Sequence, residues 1–310
     1  MGLTRADLDL NAAKAVRAVV QAHQPDAVVN AAAYTAVDRA ESEPDLAFAV
    51  NRDGPAALAA ACADLGIPLV HFSTDYVFDG AKPEPYVEGD PAAPLGVYGQ
   101  SKWEGEEAVR AALDRHLILR VSWVFSRHGG NFVKTMLRLG RAREALRVVA
   151  AQHGGPTPAS AIADAALVTL RQASERNDDW GTYHFCGAPF TTWHGFAEAI
   201  FAEARRHEPL AVRDVAPIPA SAYPTPAARP ANSRMEAARL AHTFGIAPAD
   251  WRAVLAEVIA ALQPPASDEA PGCPARGRGL CAASSCDQEI FTEIEAAPDA
   301  PAGRCYFRDL

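Results

Sequence analysis

The sequence lacks the features that mark membrane, secreted or nucleic-acid-binding proteins. No apolar run approaches the ~20 residues that a membrane-spanning helix needs. The opening segment, MGLTRADLDLNAAK, has no apolar core of a secretory signal, and Ala6 stands where a myristoylation motif carries serine or threonine. The net charge of -9 argues against a surface for nucleic-acid phosphates, because such surfaces cluster Lys and Arg. We therefore expect a cytoplasmic protein without membrane or nucleic-acid partners.

Paired cysteines are also absent. Of the 6 cysteines, Cys62 and Cys186 each lie alone in an apolar segment, which predicts buried free thiols. The other cysteines all fall near the C-terminus, at Cys273, Cys281, Cys286 and Cys305. No C-x-x-C pair occurs among them, so the sequence favours no zinc site and we expect no metal.

What the sequence does contain, from residue 11 to about 150, is an alternation of apolar strands and helices. The strand candidates are DAVVNAAA, IPLVHFST and HLILRVSWVF. The helix candidates are NAAKAVRAVVQAH, PDLAFAVNRDGPAALAAACADLG, YGQSKWEGEEAVRAAL and NFVKTMLRLGRAR. Near-continuous apolar strands between helices indicate a parallel sheet covered on both faces. The predicted fold is therefore α/β, with a Rossmann-like doubly wound parallel sheet in residues 1–150.

The pattern changes twice further along the chain. Residues 151–262 mix helices, the short strand candidate GTYHFCG and a Pro-rich run, which predicts a smaller α+β lobe that mainly binds substrate. Residues 263–310 are rich in Pro, Ala and Gly and show little amphipathic periodicity. We expect this last segment to be a disordered tail.

The exits of the predicted strands carry the polar residues of interest. Ligands of open parallel sheets bind beyond the carboxyl ends of the strands, which directs attention to NAAAYT, STDYVF and SWVF. Ser73, Thr74 and Asp75 follow an apolar strand directly. They fit two interpretations, a common strand-ending turn or a set of hydrogen-bonding groups for a substrate.

Tyr98 and Lys102 form the second constellation. Their spacing places both side chains on one face of a helix. An ammonium group near a phenol favours the phenolate, so the pair can exchange a proton near neutral pH. Such a phenol can protonate a ketone oxygen as a hydride reaches the carbon, with a neighbouring hydroxyl such as that of Thr74 to assist it. Because Y-x-x-x-K is common by chance, the pair alone also fits a plain helix face.

Seven segments in order give the chain a family resemblance. They are NAAAYTAVDRAESEP, VNRDGPAALA, HFSTDYVFDG, PLGVYGQSKWEGE, HLILRVSWVF, GGNFVKTMLRL and ARPANSRM. Over roughly residues 3–262 the sequence resembles the dTDP-4-dehydrorhamnose reductase family of extended short-chain dehydrogenases/reductases. The resemblance implies an NADPH-dependent (or NADH-dependent) enzyme that reduces dTDP-4-dehydro-L-rhamnose to dTDP-L-rhamnose. It also favours the catalytic interpretation of Tyr98, Lys102 and Thr74.

The resemblance assigns roles position by position. Tyr98 would be the proton donor, Lys102 its partner and a cofactor ligand, and Thr74 would tune the tyrosine and contact the sugar. The remaining cofactor contacts would come from Asp9, Leu10, Ala33, Tyr34, Thr35, Phe72 and Ser73. The remaining contacts to the dTDP-sugar would come from Asp75, Trp123, Asn131, Arg229, Asn232 and Arg234. For Trp123, a plain core position at a strand end is the competing interpretation.

The sequence departs from the family pattern at its start. Family members open with a strand and a Gly-rich turn that holds the cofactor diphosphate. Residues 1–30 of this sequence contain a single glycine, Gly2, and no such turn. We expect this chain to lack the first strand, the first helix and that phosphate-binding turn, which would make its NADPH affinity very weak.

Two other functions stay open. The regulatory β subunit of methionine adenosyltransferase resembles the same family and acts by binding its partner enzyme. A reductase of another 4-keto-6-deoxy sugar nucleotide would also carry these motifs. The sequence is also compatible with a homodimer.

Overall fold

The computed structural model describes residues 1–263. Their strands are β1 Val28–Asn30, β2 Leu69–Thr74, β3 His116–Val121, β4 Val124–Phe125, β5 Ala145–Val149, β6 His153–Gly154, β7 Thr157–Pro158, β8 Gly181–Phe185, β9 Gly187–Ala188, β10 Thr191–Thr192, β11 Asp214–Ile218 and β12 Ala249–Asp250. Their α-helices are α1 Ala13–His23, α2 Val37–Ala40, α3 Pro44–Phe48, α4 Gly54–Leu65, α5 Val97–Ala112, α6 Phe132–Ala142, α7 Ala159–Arg176, α8 Trp193–Ala204, α9 Ala238–Phe244 and α10 Trp251–Ala261.

The main sheet is parallel, with the strand order β1-β2-β3-β8. Successive side chains of a strand point to opposite faces of the sheet, and different helices pack against each face. Leu69 and Ile118 pack with α1, α4 and α5, whereas Val70 and Leu117 pack with α7 and α9. The predicted doubly covered parallel sheet is therefore confirmed. Along its outer edge β1 exposes Val29, and among the described residues no strand pairs with that edge.

A second apolar cluster lies beside the sheet. It joins α6, α8 and α10 with the parallel pair of β5 and β11, and its fully buried aromatic residues include Phe196, Phe201 and Trp251. The rings of Phe196 and Trp251 meet edge to face with centroids 5.3 Å apart. This cluster is the core of the smaller lobe.

The chain crosses between the two parts more often than the proposed division at residue 150 suggests. β8, from the region expected to form the second lobe, joins the main sheet beside β3. In the opposite direction, β5 pairs with β11, so residues 145–149 belong with the smaller lobe. A division at residue 150 separates strands that the structure pairs.

Two predicted elements are interrupted. The long helix expected after Pro44 is broken by a π-helical turn, Ala49–Asp53, between α3 and α4. The strand expected at 116–125 ends at Val121, and the chain resumes as β4 after Ser122 and Trp123. Both interruptions lie next to the site described below.

The expected free thiols are confirmed. Cys62 and Cys186 are both buried and unpaired, and burial raises the pKa of each thiol to about 12. The C-terminal cysteines lie outside the described residues. No helix within residues 1–263 has the length and hydropathy to cross a bilayer, and no group of metal-binding side chains occurs there.

Candidate active site

Polar side chains are held at the carboxyl end of β2, as the sequence predicts. Ser73 and Thr74 end the strand, and Asp75 begins a 3-10 turn, Asp75–Val77. The Thr74 hydroxyl accepts a hydrogen bond from the Tyr76 amide at 3.2 Å and donates one to Asp75 Oδ1 at 3.2 Å. Thr74 and Asp75 are almost completely buried, so their positions are fixed at the sheet edge.

Helix α5 brings Tyr98 and Lys102 to the same edge. Lys102 is 2% exposed, and its Nζ donates to the Phe72 carbonyl at 2.7 Å. The Tyr98 ring meets the Tyr76 ring edge to face, with centroids 5.4 Å apart. The structure thus gathers Tyr98, Lys102 and the Thr74 turn at one sheet edge.

Two glycines of the motif GQSKWEG allow this close approach. A Cβ atom added at Gly99 would lie 2.2 Å from the Tyr76 carbonyl oxygen. One added at Gly105 would lie 2.0 Å from the Asn51 carbonyl oxygen. Any side chain at either position would push α5 away from its neighbours, so the motif's glycines have a packing reason.

Asn51 is a site residue that sequence analysis missed. It is completely buried in the π-helical turn, and its Oδ1 accepts from the Tyr34 amide at 2.8 Å. Its Nδ2 donates to the Tyr34 carbonyl and to Ser101 Oγ, both at 3.0 Å, and Ser101 Oγ donates to the Tyr98 carbonyl. Asn51 therefore ties the loop that carries Ala33, Tyr34 and Thr35 to the helix turn of Tyr98. A polar side chain inside an apolar, Ala-rich helix pattern was the signal available.

A buried ion pair fixes α5 to the sheet one turn beyond Lys102. Arg120 on β3 donates to both carboxylate oxygens of Glu106, at 2.9 and 2.7 Å. Burial opposes ionisation of Glu106, but the bonds from Arg120 outweigh it and hold the pKa of Glu106 below its usual range. His184 on β8 lies 3.4 Å from Arg120, and burial, followed by that positive charge, lowers the pKa of His184 to about 3. His184 is therefore neutral.

Asp75 has the opposite electrostatic environment. Burial raises the pKa of its carboxyl to about 6. Its Oδ2 is buried and has no hydrogen-bond partner of normal geometry among the described residues, although the nearby Ser233 side chain acts against the rise in pKa. A buried acceptor without a donor is a group that a ligand hydroxyl can satisfy.

A cleft of about 290 Å³ opens beside Tyr76, between the sheet edge and the smaller lobe. Its walls include Thr35, Asp38, Tyr76, Gln152, Trp193, Tyr223 and Arg229. Arg229 pairs with Asp38 at 2.5 Å and donates to the Tyr76 hydroxyl at 3.3 Å. The Arg229 guanidinium therefore lies in the cleft wall, held by Asp38 and by the Tyr76 hydroxyl.

Several residues predicted to bind substrate make hydrogen bonds within the protein. Asn131 caps α6, where its Oδ1 accepts from the Lys134 amide and its Nδ2 donates to the Ser126 carbonyl. Asn232 donates to the carbonyls of Lys82 and Glu84 and accepts from Arg234, so these residues brace the 82–84 loop.

Other residues with predicted ligand contacts pack against neighbouring elements of the protein. Trp123 stacks on Trp193, which is a wall of the cleft. Asp9 and Leu10 lie on the turn before α1, where Leu10 packs against Gly54 at the start of α4. Among the predicted contacts to the nucleotide part of the substrate, Arg229 is the one that lines the cleft.

A tyrosine and a lysine one helical turn apart, beside a strand-end threonine on a doubly covered parallel sheet, are the arrangement expected of a reductase that protonates a ketone oxygen. The chain belongs to the family described as the RmlD substrate binding domain, whose model matches residues 1–263.

Comparisons with individual proteins agree with this family. The dTDP-4-dehydrorhamnose reductase of Sinorhizobium fredii is 47% identical over 264 residues, which are 84% of this chain and 88% of that protein. A crystal structure of the Clostridium acetobutylicum dTDP-4-dehydrorhamnose reductase superposes with a TM-score of 0.77 at 38% identity, covering 83% of this chain and 88% of that one. The Bacillus anthracis dTDP-4-dehydrorhamnose reductase in complex with NADP gives a TM-score of 0.77 at 35% identity and the same coverage.

Proposed function

We propose that this protein reduces the 4-keto group of dTDP-4-dehydro-L-rhamnose to the alcohol of dTDP-L-rhamnose, with NADPH as the reductant. The observation that carries the proposal is the placement of Tyr98 and Lys102 beside the Thr74–Asp75 turn at the carboxyl edge of the sheet. The names of the relatives point to the same reaction.

The chain's own residues supply the proton and the charge. Bound NADPH would supply the hydride that adds to the carbonyl carbon. The Tyr98 phenol gives its proton to the ketone oxygen, which becomes the new hydroxyl. Lys102, one helical turn beyond Tyr98, would place its positive charge near the phenolate as it forms and so favour loss of that proton.

Asp75 and Arg229 fit a sugar diphosphate. The unpartnered Asp75 Oδ2 can accept a hydrogen bond from a sugar hydroxyl at the same sheet edge. The Arg229 guanidinium, held in the cleft wall, matches the geometry of diphosphate oxygens. The substrate would then extend from Tyr98 past Tyr76 into the cleft.

We assign the nicotinamide and ribose end of NADPH to this same sheet edge. Tyr98 and Lys102 lie at that edge, and Asn51 ties the Ala33–Thr35 loop to the helix turn of Tyr98. These are the positions that the family resemblance assigns to the cofactor. We also propose a cytoplasmic location and a homodimer. Sedimentation velocity of the purified chain would test the homodimer.

Replacement of Tyr98 by phenylalanine tests the proposed function. Only the phenolic hydroxyl is removed, so NADPH oxidation in the presence of dTDP-4-dehydro-L-rhamnose should fall by roughly 10²-fold or more. Tyr183→Phe is the matched control, because its hydroxyl bonds to the Asp179 carbonyl away from the cleft. Near-normal turnover of Tyr98→Phe would refute the assignment. No turnover by the unmodified chain, together with tight binding to another enzyme, would favour a regulatory subunit.

A further inference from the structure

One carboxylate, that of Asp38, connects the two sides of the cleft. Asp38 lies on α2, which follows β1 of the main sheet, and it contacts the 225–229 segment, which follows β11 of the smaller lobe. Its Oδ1 accepts a hydrogen bond from the Ala227 amide at 3.1 Å, and its Oδ2 accepts one from Arg229 Nη2 at 2.5 Å. The two oxygens of one side chain therefore bind two residues of the same segment.

The helix that carries Asp38 is fixed by its own contacts. Ala40 is completely buried in an apolar cluster with Tyr34. The Tyr34 amide donates to Asn51, and the Tyr34 hydroxyl donates to Glu43 at 2.6 Å. These contacts fix the backbone from which the Asp38 carboxylate extends.

The segment on the other side of the cleft is ordered as well. The Thr225 hydroxyl donates to the Ala227 carbonyl at 2.8 Å, and Ala227 is 2% exposed. Beyond Arg229, Pro230 packs so closely on Gly80 that a Cβ added to this glycine would lie 2.6 Å from the proline Cβ. The backbone on both sides of Arg229 is thus held, and Asp38 holds its guanidinium.

The Arg229 guanidinium is oriented and still reaches the cleft. Among the described residues, two of its five N–H groups make hydrogen bonds, one to Asp38 and one to the Tyr76 hydroxyl. Its side chain is 19% exposed and lines the cleft. A guanidinium that is already oriented loses little rotamer freedom when it binds a phosphate group, and such preorganisation strengthens binding.

Asp38 also brings a negative charge close to a site proposed for a diphosphate. This charge and the positioning of Arg229 affect affinity in opposite directions. If repulsion dominated, removal of the carboxylate would strengthen diphosphate binding. Since both carboxylate oxygens bind donors of the 225–229 segment, and one of these donors is a cation, we expect the positioning effect to dominate.

We propose that Asp38 is a positioning residue for the sugar nucleotide, which holds Arg229 and the 225–229 segment in the geometry that binds the diphosphate. The inference rests on the proposed function for the chemical class of the ligand. Asp38 follows the Ala33–Thr35 loop by three residues, so the group that positions Arg229 lies on the same stretch of chain as the loop assigned to the cofactor.

Calorimetric titration of the full-length chain with thymidine 5′-diphosphate tests the direction of the effect. Asp38→Ala should weaken binding about tenfold, because a charge-assisted hydrogen bond no longer orients the guanidinium. Asp38→Asn keeps the size of the side chain and should change the affinity in the same direction by a smaller factor. Asp64→Ala is the matched control, since Asp64 pairs with Arg17 at the surface and neither residue lines the cleft. Equal or tighter binding by the two Asp38 variants would overturn the inference.

A double-variant cycle shows whether Asp38 acts through Arg229. In the Arg229→Ala background, Asp38→Ala should cause no further loss of affinity for thymidine 5′-diphosphate, because the group that Asp38 positions has been removed. Losses that simply add would mean that Asp38 acts independently of Arg229, which contradicts the inference.

Steady-state turnover separates this inference from the proposed function. Asp38→Ala should raise the KM for dTDP-4-dehydro-L-rhamnose about tenfold and leave kcat within about twofold, as expected when uniform binding is lost. Turnover by Asp38→Ala with an unchanged KM would refute the inference and leave the proposed function intact. If the unmodified chain neither turns over the sugar nucleotide nor binds thymidine 5′-diphosphate, both fail. Circular dichroism of each variant verifies that it is folded.

Discussion

At the scale of the residue, the site contains two buried carboxylates with opposite electrostatics. Glu106 is paired with Arg120 and remains charged, whereas Asp75 has an oxygen without a donor among the described residues and a pKa of about 6. The difference has a physical cause: one carboxylate has a buried cation beside it and the other does not. The first carboxylate serves the fold, and the second is the one that the proposed function assigns to a sugar hydroxyl.

Asp75→Asn should reveal this difference as a pH-dependent change in stability. The folded-state pKa of Asp75 is raised from 3.8 to about 6, so the folded protein binds more protons than the unfolded chain between these values. Stability is therefore lost as the pH rises through this window, and the loss is complete above about 6. It amounts to ~3 kcal/mol, which the Asp75→Asn variant would recover because an amide never ionises.

Urea denaturation below and above the window measures the effect of Asp75→Asn. The variant should be more stable than the unmodified chain above the window and show little difference below it, and its KM for the sugar nucleotide should rise. Asp79→Asn is the control of opposite sign, because the hydrogen bond from Tyr86 lowers the pKa of Asp79. Identical pH profiles for Asp75→Asn and the unmodified chain would show that this carboxyl is not destabilised by burial.

At the scale of the element, α5 is the part that carries the chemistry. Its first turn holds Tyr98, its second Lys102 and its third Glu106. Gly99 and Gly105 allow it to lie close to its neighbours, and the Glu106–Arg120 pair joins it to β3. The ion pair thus sets where the helix lies, and with it the position of the proton donor.

Glu106→Gln should destabilise the protein by ~3–5 kcal/mol, because it leaves the Arg120 charge buried without its counterion. The double variant Glu106→Leu/Arg120→Met should lose less stability than Glu106→Gln, since the fully buried charge of Arg120 is removed together with its partner. The partly exposed Arg110, which also pairs with Glu106, keeps its pair with Glu107. Denaturant unfolding of the single and double variants measures both effects.

Glu208→Gln is the matched control for the ion pair. Glu208 pairs with the exposed Arg141, and loss of this surface pair should change stability by less than ~1 kcal/mol. If Glu106→Gln were no more destabilising than Glu208→Gln, the buried pair would not be what fixes α5.

At the scale of the whole molecule, the sheet and the smaller lobe share strands. β8 covers the outer edge of β3, and β11 pairs with β5. Helices α7 and α9, which precede and follow β8 in the chain, cover the face that carries Val70 and Leu117. Neither part is complete without the other.

A fragment of residues 1–150 should therefore fail to fold. It would expose an unpaired edge of β3, an unpaired β5 and the apolar face that α7 and α9 cover, at ~25 cal/mol for each Å² of apolar surface. We expect the fragment to be insoluble or to melt non-cooperatively by circular dichroism. The full chain, as the control, should show a cooperative transition. A soluble fragment that melts cooperatively would support the division at residue 150.

The sequence alone determined the features that depend on neighbours along the chain. Apolar runs such as IPLVHFST predicted buried strands, because burial on both faces requires continuous apolar character. The spacing of Tyr98 and Lys102 placed them on one helix face, because a helix turns every 3.6 residues. The order of the motifs indicated the family, and the comparisons confirm it.

Tertiary structure alone decided the contacts between distant segments. Asn51 bonds to Ser101, Asp38 pairs with Arg229, and Trp193 stacks on Trp123. It also decided that β8 joins the main sheet. Local pattern cannot reveal these contacts, because side chains far apart in sequence meet only after the packing of whole helices and strands has fixed their distances and directions.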